Sequence, residues 1–355
     1  MMNMNTLLFC GKIENKNLNR KISLDKTGLN SGNLLFWYAL SNILEVDTHT
    51  LAECAWKKVD LDQYSSFITT DLIWIQPNKE YPHVRKQLEL AGARPLIPIS
   101  VGLQNSSMNA DFKLHGDTVN LLNEIQERCI IGVRGEYTAD VLNKYGIKNI
   151  NIIGCPSMYL PFDYQFKIRK KEIAPEKVSI NMRSLYSPLS KNELEFLVYA
   201  ANHSYDFCEQ TSPPFAPEIC KDGPTFSYLN KWMNLYKMMF FNVDDWRSFM
   251  AEHDFSMGGR FHGNVIALWE GVPALFFTVD SRTTELCRHF SLPTMNMEDF
   301  DPNKDICYYY EKADYSEFNK NYSKRLDEFI TFLKKNRLPI SKRVDMCVYG
   351  KLEIQ

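Results

Sequence analysis

The sequence predicts an α/β protein in which two Rossmann-like halves face each other across a cleft. Short apolar runs alternate with amphipathic segments along most of the chain, which is the pattern of parallel sheets flanked by helices. This series starts again after residues 161–177, a charged stretch that contains Pro175 and lacks periodicity. A chain of 355 residues is also too long for one ordinary core and long enough for two.

The first half alternates strand-like and helix-like segments. Its strand-like runs are rich in branched and aromatic residues, which suit a pleated buried surface, and they cover Thr6–Cys10, Ser66–Thr70, Leu72–Ile75, Leu96–Val101, Ile130–Val133 and Ile150–Ile153. Apolar residues recur at helical spacing over Asn33–Leu44, Tyr81–Ala91, Asp117–Arg128 and Glu136–Tyr145. Gly146 is a residue on which the last of these helices would end in a left-handed conformation.

The second half repeats the pattern. Strands are predicted at Val178–Met182, Tyr205–Glu209, Met238–Asn242, Asp254–Met257 and Ala274–Val279, and helices at Lys191–Ala201, Asp244–His253, Asn264–Trp269 and Ser281–Phe290. A Pro-rich loop is predicted at 211–226, and one long amphipathic helix at 316–335. We therefore divide the chain into a first Rossmann-like domain at 1–165, a second at 166–315, and a C-terminal helix and tail at 316–355.

Composition excludes several classes of protein. With 41 Lys and Arg against 43 Asp and Glu, the net charge is −2, so the excess of cations expected of a nucleic-acid binder is missing. No apolar run approaches the roughly 20 residues that span a bilayer. The nine Cys are scattered, and neither they nor the seven His have metal-ligand spacing. We expect a cytoplasmic protein with reduced thiols and no structural metal.

Two loops of the first half carry small and amide residues at predicted strand ends or helix starts. Asn30, Gly32 and Asn33 precede the first predicted helix, where free backbone N–H groups attract anions and Gly lets a ligand come close. An ordinary helix cap would have the same composition. Gln104 follows the run 96–101 and is either a cleft-lining residue or part of a plain turn. Ligands bind at such strand ends in open α/β sheets.

Two Arg residues also follow predicted strands. Arg134 stands where a strand meets a helix, and its guanidinium could fork onto a carboxylate or phosphate or pair with Glu136 on the surface. Arg183 ends the first strand of the second half and adds a cation on that side. Both are candidate ligands for an anionic substrate.

The strongest candidate site is the segment Gly258-Gly259-Arg260-Phe261-His262-Gly263. An apolar run delivers it and a helix leaves it, so Gly259 and Gly263 would allow close approach of a ligand. Arg260 and His262 are two residues apart and can face one ligand, and His is the side chain most easily tuned as an acid or base near neutral pH. The alternative is a His that only caps its neighbours.

Three further residues are less clear from the sequence. Glu270 lies about two turns after the candidate His and either faces the cleft or ends a solvated helix. Asp280 follows the next predicted strand and is a cleft-lining candidate. Cys155 follows a strand-like run, and a buried structural thiol is the expected role because no His is near it in the sequence.

Taken together in order, these segments resemble the polysaccharide pyruvyl transferase family from about Gly28 to Phe290. The resemblance is carried by Asn30-Ser31-Gly32-Asn33, by Arg134-Gly135-Glu136-Tyr137-Thr138 with Ile153-Gly154-Cys155-Pro156, by the strand Val178–Arg183, and by Arg260-Phe261-His262-Gly263 with Ala267, Gly271, Pro273 and Asp280. The last motif is fairly specific. Two departures stand out: Cys155 and Asn33 occupy positions where the family commonly has Asp.

The resemblance implies a GT-B-like fold and the transfer of a pyruvyl group from phosphoenolpyruvate to a sugar of a surface polysaccharide, commonly as a cyclic ketal. His262 would move the proton, and Arg134, Arg183 and Arg260 would hold the donor. Phosphoenolpyruvate is a co-substrate, and no cofactor is expected. The acceptor would be a sugar or a lipid-linked oligosaccharide, and in the latter case the enzyme would work at the inner membrane face.

Two rival functions remain open at this point. A nucleotide-sugar glycosyltransferase would share the two-domain shape, so fold alone does not exclude it. A carbohydrate-binding scaffold without activity is the second rival, but a neutral glycan does not call for several Arg and a His together. Phe215 and Tyr228, in and beside the Pro-rich loop, are candidates for stacking on an acceptor sugar.

Overall fold

We describe the protein from a computed structural model, which covers residues 5–11, 20–108, 111–183, 188–211 and 220–342. The first half of the chain builds a parallel sheet of order β2-β1-β3-β4, with β1 (Asn5–Phe9), β2 (Asp47–His49), β3 (Tyr64–Thr69) and β4 (Leu96–Pro98). A parallel pair, β5 (Ile131–Val133) and β6 (Ile150–Ile152), continues it, because Val101 beyond β4 bridges to Val133.

Helices cover this sheet: α1 (Arg20–Lys26), α2 (Asn33–Ile43), α3 (Leu51–Ala55), α4 (Pro82–Ala91), α5 (Gly116–Gln126) and α6 (Glu136–Lys144). Most of α2 is buried, including Leu34, Phe36 and Trp37. A helix that is apolar nearly all round must be covered on several sides. It contacts residues 156–159 of the first half and two helices of the second half, which accounts for this burial.

The second half builds a six-stranded parallel sheet of order β12-β11-β10-β7-β8-β9. Its strands are β7 (Val178–Asn181), β8 (Asp206–Cys208), β9 (Lys237–Met238), β10 (Phe255–Gly258), β11 (Ala274–Thr278) and β12 (Thr294–Asn296). Its helices are α7 (Lys191–Asn202), α8 (Gly223–Tyr236), α9 (Val243–Ala251), α10 (Phe261–Trp269), α11 (Ser281–Phe290) and α12 (Ile306–Lys312).

The strand order of each sheet fixes where a crevice opens. The chain runs outward from β7 to β9 and then crosses to β10, on the other side of β7. Neighbouring strands whose connections leave in opposite directions open a crevice at their carboxyl ends, where ligands bind in open α/β sheets. In the first sheet the same reversal lies between β1 and β3. The loops that follow β1 and β10 therefore belong to ligand-binding positions.

The last helix, α13 (Ser316–Lys335), returns to the first half. Its Phe329 stacks on Tyr159 with ring centroids 4.4 Å apart. Just beyond it, the Asn336 side chain accepts a hydrogen bond from the backbone N–H of Ile130 at 2.9 Å. These contacts attach α13 to the first half of the protein. Among the helices of the described residues, none is both long and apolar enough to cross a bilayer.

Several local predictions differ from the structure. The strand predicted at Met238–Asn242 covers only Lys237–Met238, and 239–242 form no strand. The segment Leu72–Ile75 is a turn rather than a strand, and only Ile75 forms a bridge, to Leu103. The predicted loop at 211–226 ends early because Pro224 suits the start of a helix, α8. Residues 212–219, with Phe215, lie outside the described residues. Helix α10 begins at Phe261, so the candidate His lies in its first turn. The domain limits at 165 and 315 stay predictions.

Candidate active site

The turn after β10 delivers the predicted Arg and His. Gly258 has φ 150°, a conformation that side chains rarely tolerate, and a Cβ there would collide with the backbone of Asn181. The chain then turns sharply through Gly259 and Arg260 into α10. His262 is consequently presented at the carboxyl end of a central strand, at the crevice that the sheet topology opens.

Two buried amides hold this turn in place. The Asn181 side chain at the end of β7 accepts a hydrogen bond from the Arg260 backbone N–H at 2.8 Å and donates to the Asn264 side chain at 2.7 Å. Asn264 in turn donates to the carbonyl of Gly258 at 2.9 Å. Both amides are fully buried, so each of their bonds is protected from water. Sequence reasoning did not single out either one as a determinant of the site.

The imidazole of His262 is half-buried between the two halves of the protein. Its ring lies 5.6 Å from the ring of Phe36 on α2, measured between centroids. Its Nε2 lies 3.6 Å from Sγ of Cys155, which also contacts the Ser157 hydroxyl at 3.1 Å. The expectation that no His is near Cys155 holds along the sequence but not in space. The thiol is fully buried and orients the imidazole.

Two guanidinium groups lower the basicity of this imidazole. Burial, together with the positive charges of Arg134 and Arg282, lowers the pKa of His262 to about 3. The ring is therefore neutral at pH 7 in the protein without a bound anion, and it can accept a proton. A bound anion would offset the two positive charges and raise this pKa.

Arg134 is the buried cation of the first half and is 4% exposed. It directly follows β5, and its Nε donates to the carbonyl and to the hydroxyl of Ser100 at 3.2 Å and 3.1 Å. Burial lowers the pKa of this guanidinium to about 10, so it remains charged at neutral pH. The alternative of a surface pair with Glu136 is wrong.

Arg282 is a cation that sequence reasoning did not assign to the donor. It lies on α11 and pairs with Asp280, the N-cap residue of that helix, at 3.1 Å. Burial alone would raise the pKa of Asp280, but Arg282 and the hydrogen bonds from Thr283 lower it below its usual value. Asp280 therefore orients Arg282 beside Arg134 and the imidazole. The signal in the sequence was Asp-x-Arg directly after a strand.

Arg260 is half-buried at the start of α10. Its Nη2 donates to the Thr211 hydroxyl at 3.0 Å. Gly259 is buried beside Val279 and Met182. A Cβ at Gly263 would lie 2.7 Å from Cγ of Asn181.

The loop before α2 faces the imidazole from the first half. Asn30 accepts a hydrogen bond from the Gly32 backbone N–H at 2.9 Å, and a Cβ at Gly32 would lie 3.1 Å from Nδ1 of His262. The same Cβ would lie 2.5 Å from Oε1 of Gln210, a buried residue whose carbonyl accepts from the Ser31 backbone N–H at 2.8 Å. Gln210 is thus a contact between the halves that sequence reasoning missed.

Two other first-half candidates have structural roles as well. The Asn33 side chain donates to the carbonyl of Thr27 at 2.9 Å and so closes the turn before α2. Gln104 is half-buried in a loop docked on the second half. There the Ser281 hydroxyl accepts from the Asn105 backbone N–H and donates to the Leu103 carbonyl, both at 2.9 Å.

Two predicted residues are engaged in ion pairs. Arg183 binds the buried carboxylate of Glu193 through two hydrogen bonds of 2.6 Å, and Glu193 also forms the capping box of α7. Glu270 pairs with Arg247 on α9. Arg183 as a donor ligand and Glu270 as a cleft residue stay predictions.

One group outside these loops has metal-ligand chemistry. Glu80, His115 and Asp117 hold their ligand atoms within 4.8 Å of one another, with both carboxylates exposed. Exposed acidic groups are common without an ion, and the pairs of His115 with these carboxylates account for the geometry. The expectation of no structural metal stays a prediction.

Known proteins resemble this chain in sequence and in fold. The sequence model of the polysaccharide pyruvyl transferase family matches residues 67–281. No match was found among curated proteins. A UDP-GlcNAc 2-epimerase from Neisseria meningitidis, bound to UDP-GlcNAc, has a TM-score of 0.50 at 12% identity, with 94% of this chain and 100% of the other covered. A UDP-N-acetylglucosamine 2-epimerase from Listeria monocytogenes, described as putative, gives 0.48 at 10% identity, with 90% and 91% covered.

At such low identity the structural likeness concerns the fold alone, and the predicted GT-B-like arrangement with a long C-terminal helix is confirmed. The family match covers residues 67–281, which is more than half of the chain, and it contains the Arg134 segment and the turn that carries His262. The chain therefore belongs to the polysaccharide pyruvyl transferase family and is a transferase.

Proposed function

We propose that this protein transfers the pyruvyl group of phosphoenolpyruvate to a sugar of a cell-surface polysaccharide, or to its lipid-linked precursor, and forms a cyclic ketal. One arrangement carries the proposal: the imidazole of His262, in the second half, lies beside Gly32 and Cys155 of the first half, and the charges of Arg134 and Arg282 act on it. A small, strongly anionic substrate with a proton to exchange is what this arrangement fits.

The cations match the two anionic groups of the donor. Phosphoenolpyruvate carries a carboxylate and a phosphate, and guanidinium groups bind both in a forked geometry. Within the described residues Arg134 donates only from Nε, to Ser100, so its two terminal amino groups remain for a ligand. Arg282 supplies the second charge, and Arg260 lies at the start of the helix that carries the imidazole. Gly259 and Gly263 as donor-contacting positions stay predictions, because both are buried and Asn181 fills the space beside Gly263.

The imidazole then moves protons during addition. A sugar hydroxyl oxygen bonds to C2 of the enol ester and gives up its proton, while C3 gains a proton and becomes a methyl group. His262, neutral before the donor binds, takes the hydroxyl proton, and the imidazolium so formed gives a proton to C3. Arg134 and Arg282 offset the charge on the carboxylate and phosphate as the adduct forms.

Ring closure completes the transfer. The bond between C2 and the phosphate oxygen breaks, and the phosphate leaves with the bonding electron pair. A second sugar hydroxyl bonds to C2 and its proton goes to the departing phosphate, so the products are the ketal and inorganic phosphate. No step needs an oxidant, a metal or a cofactor.

In this proposal Asn30, Gly32 and Gln104 line the side of the crevice where the acceptor binds. Asn30 and Gln104 are half-buried, and their amides can both donate to and accept from sugar hydroxyls. A lipid-linked acceptor would bring the enzyme to the inner membrane face from the cytoplasm.

The first test replaces His262 with Ala and measures phosphate release from phosphoenolpyruvate in the presence of a sugar acceptor. Positioned proton transfer contributes about a hundredfold or more, so turnover should fall by at least that factor. The exposed His83 on α4, replaced with Ala, is the matched control. A loss below about tenfold for the His262 variant would remove it from the chemistry.

A second test separates the donor from a nucleotide sugar. A ligand that binds only the folded state raises the melting temperature by mass action. Phosphoenolpyruvate should do so, and UDP-sugars at the same concentration should not. The reverse result would make this protein a glycosyltransferase.

A further inference from the structure

A carboxylate from the second half is inserted into the first half next to the site. Glu285 lies on α11 and is 2% exposed. Its Oε1 accepts a hydrogen bond from the Thr138 backbone N–H at 2.6 Å, and its Oε2 accepts one from the Thr138 hydroxyl at 2.8 Å. Neither the proton-transfer step nor the binding of the donor described above uses this group.

The carboxylate caps a helix that cannot cap itself. The first N–H groups of a helix lack partners within the helix, and a negative charge near them is stabilising. The N-cap position of α6 is Gly135, which has no side chain to offer. Glu285 therefore supplies, from the other half of the protein, the acceptor that Ser or Asp usually supplies locally.

Gly135 also makes room for the carboxylate. A Cβ at this position would overlap Cγ of Glu285 and lie 3.0 Å from its Cδ. The backbone of Gly135 is extended, so any residue could adopt it. Space for Glu285 is therefore the structural reason for Gly at this position.

A second contact on the same helix holds the neighbouring loop. The Thr138 hydroxyl that donates to Glu285 also accepts from the Leu103 backbone N–H at 3.3 Å. Ser281, one turn earlier on α11, bonds the backbone of Leu103 and Asn105. Helix α11 thus fixes two strand-end loops of the first half at once.

Arg134 directly precedes this capped helix start. We propose that Glu285 is a positioning residue, which caps α6 from the second half and thereby holds the Arg134 guanidinium close to His262 and Arg282. The proposal rests on the proposed function for its consequence in catalysis. The contact itself is independent of any substrate.

The charges around Glu285 are consistent with a positioning role. Burial raises the pKa of Glu285 to about 7, while the Thr138 bonds and Arg134 oppose this shift and Asp140 adds to it. Glu285 also forms part of the wall of a cavity of about 650 Å³ that α6, α11 and α13 line.

The experiment is a double-mutant cycle between Glu285 and Arg134. Glu285→Ala should raise KM for phosphoenolpyruvate or lower kcat by about tenfold to a hundredfold, because misplacing a binding group by about 1 Å costs that much. Glu285→Gln keeps one acceptor for the Thr138 amide and should recover part of this loss. In an Arg134→Gln background, Glu285→Ala should add less than about twofold, since the two residues act as one unit.

Fully multiplicative losses would overturn the proposal, as would normal kinetics for Glu285→Ala. Glu317→Gln, an exposed Glu at the start of α13, is the matched control. Should the Ala variant fail to fold, Thr138→Val takes its place in the cycle, since it removes the hydrogen bond from the Thr138 hydroxyl to Glu285.

Failure of the proposed function would look different. If wild-type protein released no phosphate from phosphoenolpyruvate, amide exchange would still report the contact. Peptides covering 136–144 should exchange faster in Glu285→Ala than in wild type, and equal rates would contradict the capping role.

Discussion

Gly135→Ala tests the contact between the two halves through a single methyl group. The new Cβ would overlap Cγ of Glu285 and lie 3.0 Å from Cδ and Oε1, where non-bonded carbon atoms prefer about 3.5–4.0 Å. Glu285 is anchored at one end by the α11 backbone and at the other by Thr138, so it cannot move away without breaking its hydrogen bonds. Such overpacking typically costs about 1–3 kcal/mol.

The size of the effect can be separated from the general effect of replacing Gly. Ala restricts the unfolded chain and by itself stabilises by about 0.4–1 kcal/mol. Gly116, the first residue of α5, is the matched control, because a Cβ there would meet no atom within 4 Å. We expect Gly116→Ala to be neutral or stabilising and Gly135→Ala to be destabilising.

Hydrogen exchange at the start of α6 is the assay. A local loss of about 1–3 kcal/mol corresponds to exchange roughly 5–150 times faster at the Thr138 amide, since about 1.4 kcal/mol is a factor of ten. Equal protection in the Gly135 and Gly116 variants would refute the account of Gly135 as space for Glu285.

Two further predictions concern the charges at the site. Because the pKa of His262 is lowered to about 3, its neutral form persists as pH falls, and the acidic limb of kcat/KM that it controls should lie well below pH 6.5. Cys155→Asp adds a negative charge beside Nε2 and should move that limb to higher pH. An unchanged pH profile for this variant would contradict the contact between Cys155 and His262. Arg282→Gln should weaken phosphoenolpyruvate binding more than Arg183→Gln, because Arg282 and not Arg183 is among the charges that lower the pKa of His262. Titrations that reverse this order would restore Arg183 as the main donor ligand.

The sequence predicts where the site residues lie in the fold better than it predicts which residues they contact. Arg134 and His262 could be found because each lies where a strand passes into a helix, Arg134 just before α6 and His262 in the first turn of α10, and that pattern is local. The contact of Cys155 with His262 joins residues 107 positions apart, and the bonds of Glu285 to Thr138 join residues 147 apart. Nothing in the local pattern of one sequence reports such pairs.

Some contacts that sequence reasoning missed had a visible signal. Ser190 and Glu193 have the spacing of a capping box, which places a carboxylate at a helix start close to Arg183 in the sequence. That pattern could have predicted the Arg183–Glu193 pair. The early start of α10 is harder to predict, because Arg260 lacks a side-chain cap and the turn is held by Asn181 from another strand.

The titration of His262 with and without phosphoenolpyruvate tests the central claim most directly. NMR of the imidazole should find it neutral from pH 8 down to about pH 5 in the free protein, because its pKa is lowered to about 3. Saturating phosphoenolpyruvate should raise that pKa by offsetting the charges of Arg134 and Arg282. An ordinary pKa near about 6.5 that phosphoenolpyruvate leaves unchanged would contradict the account.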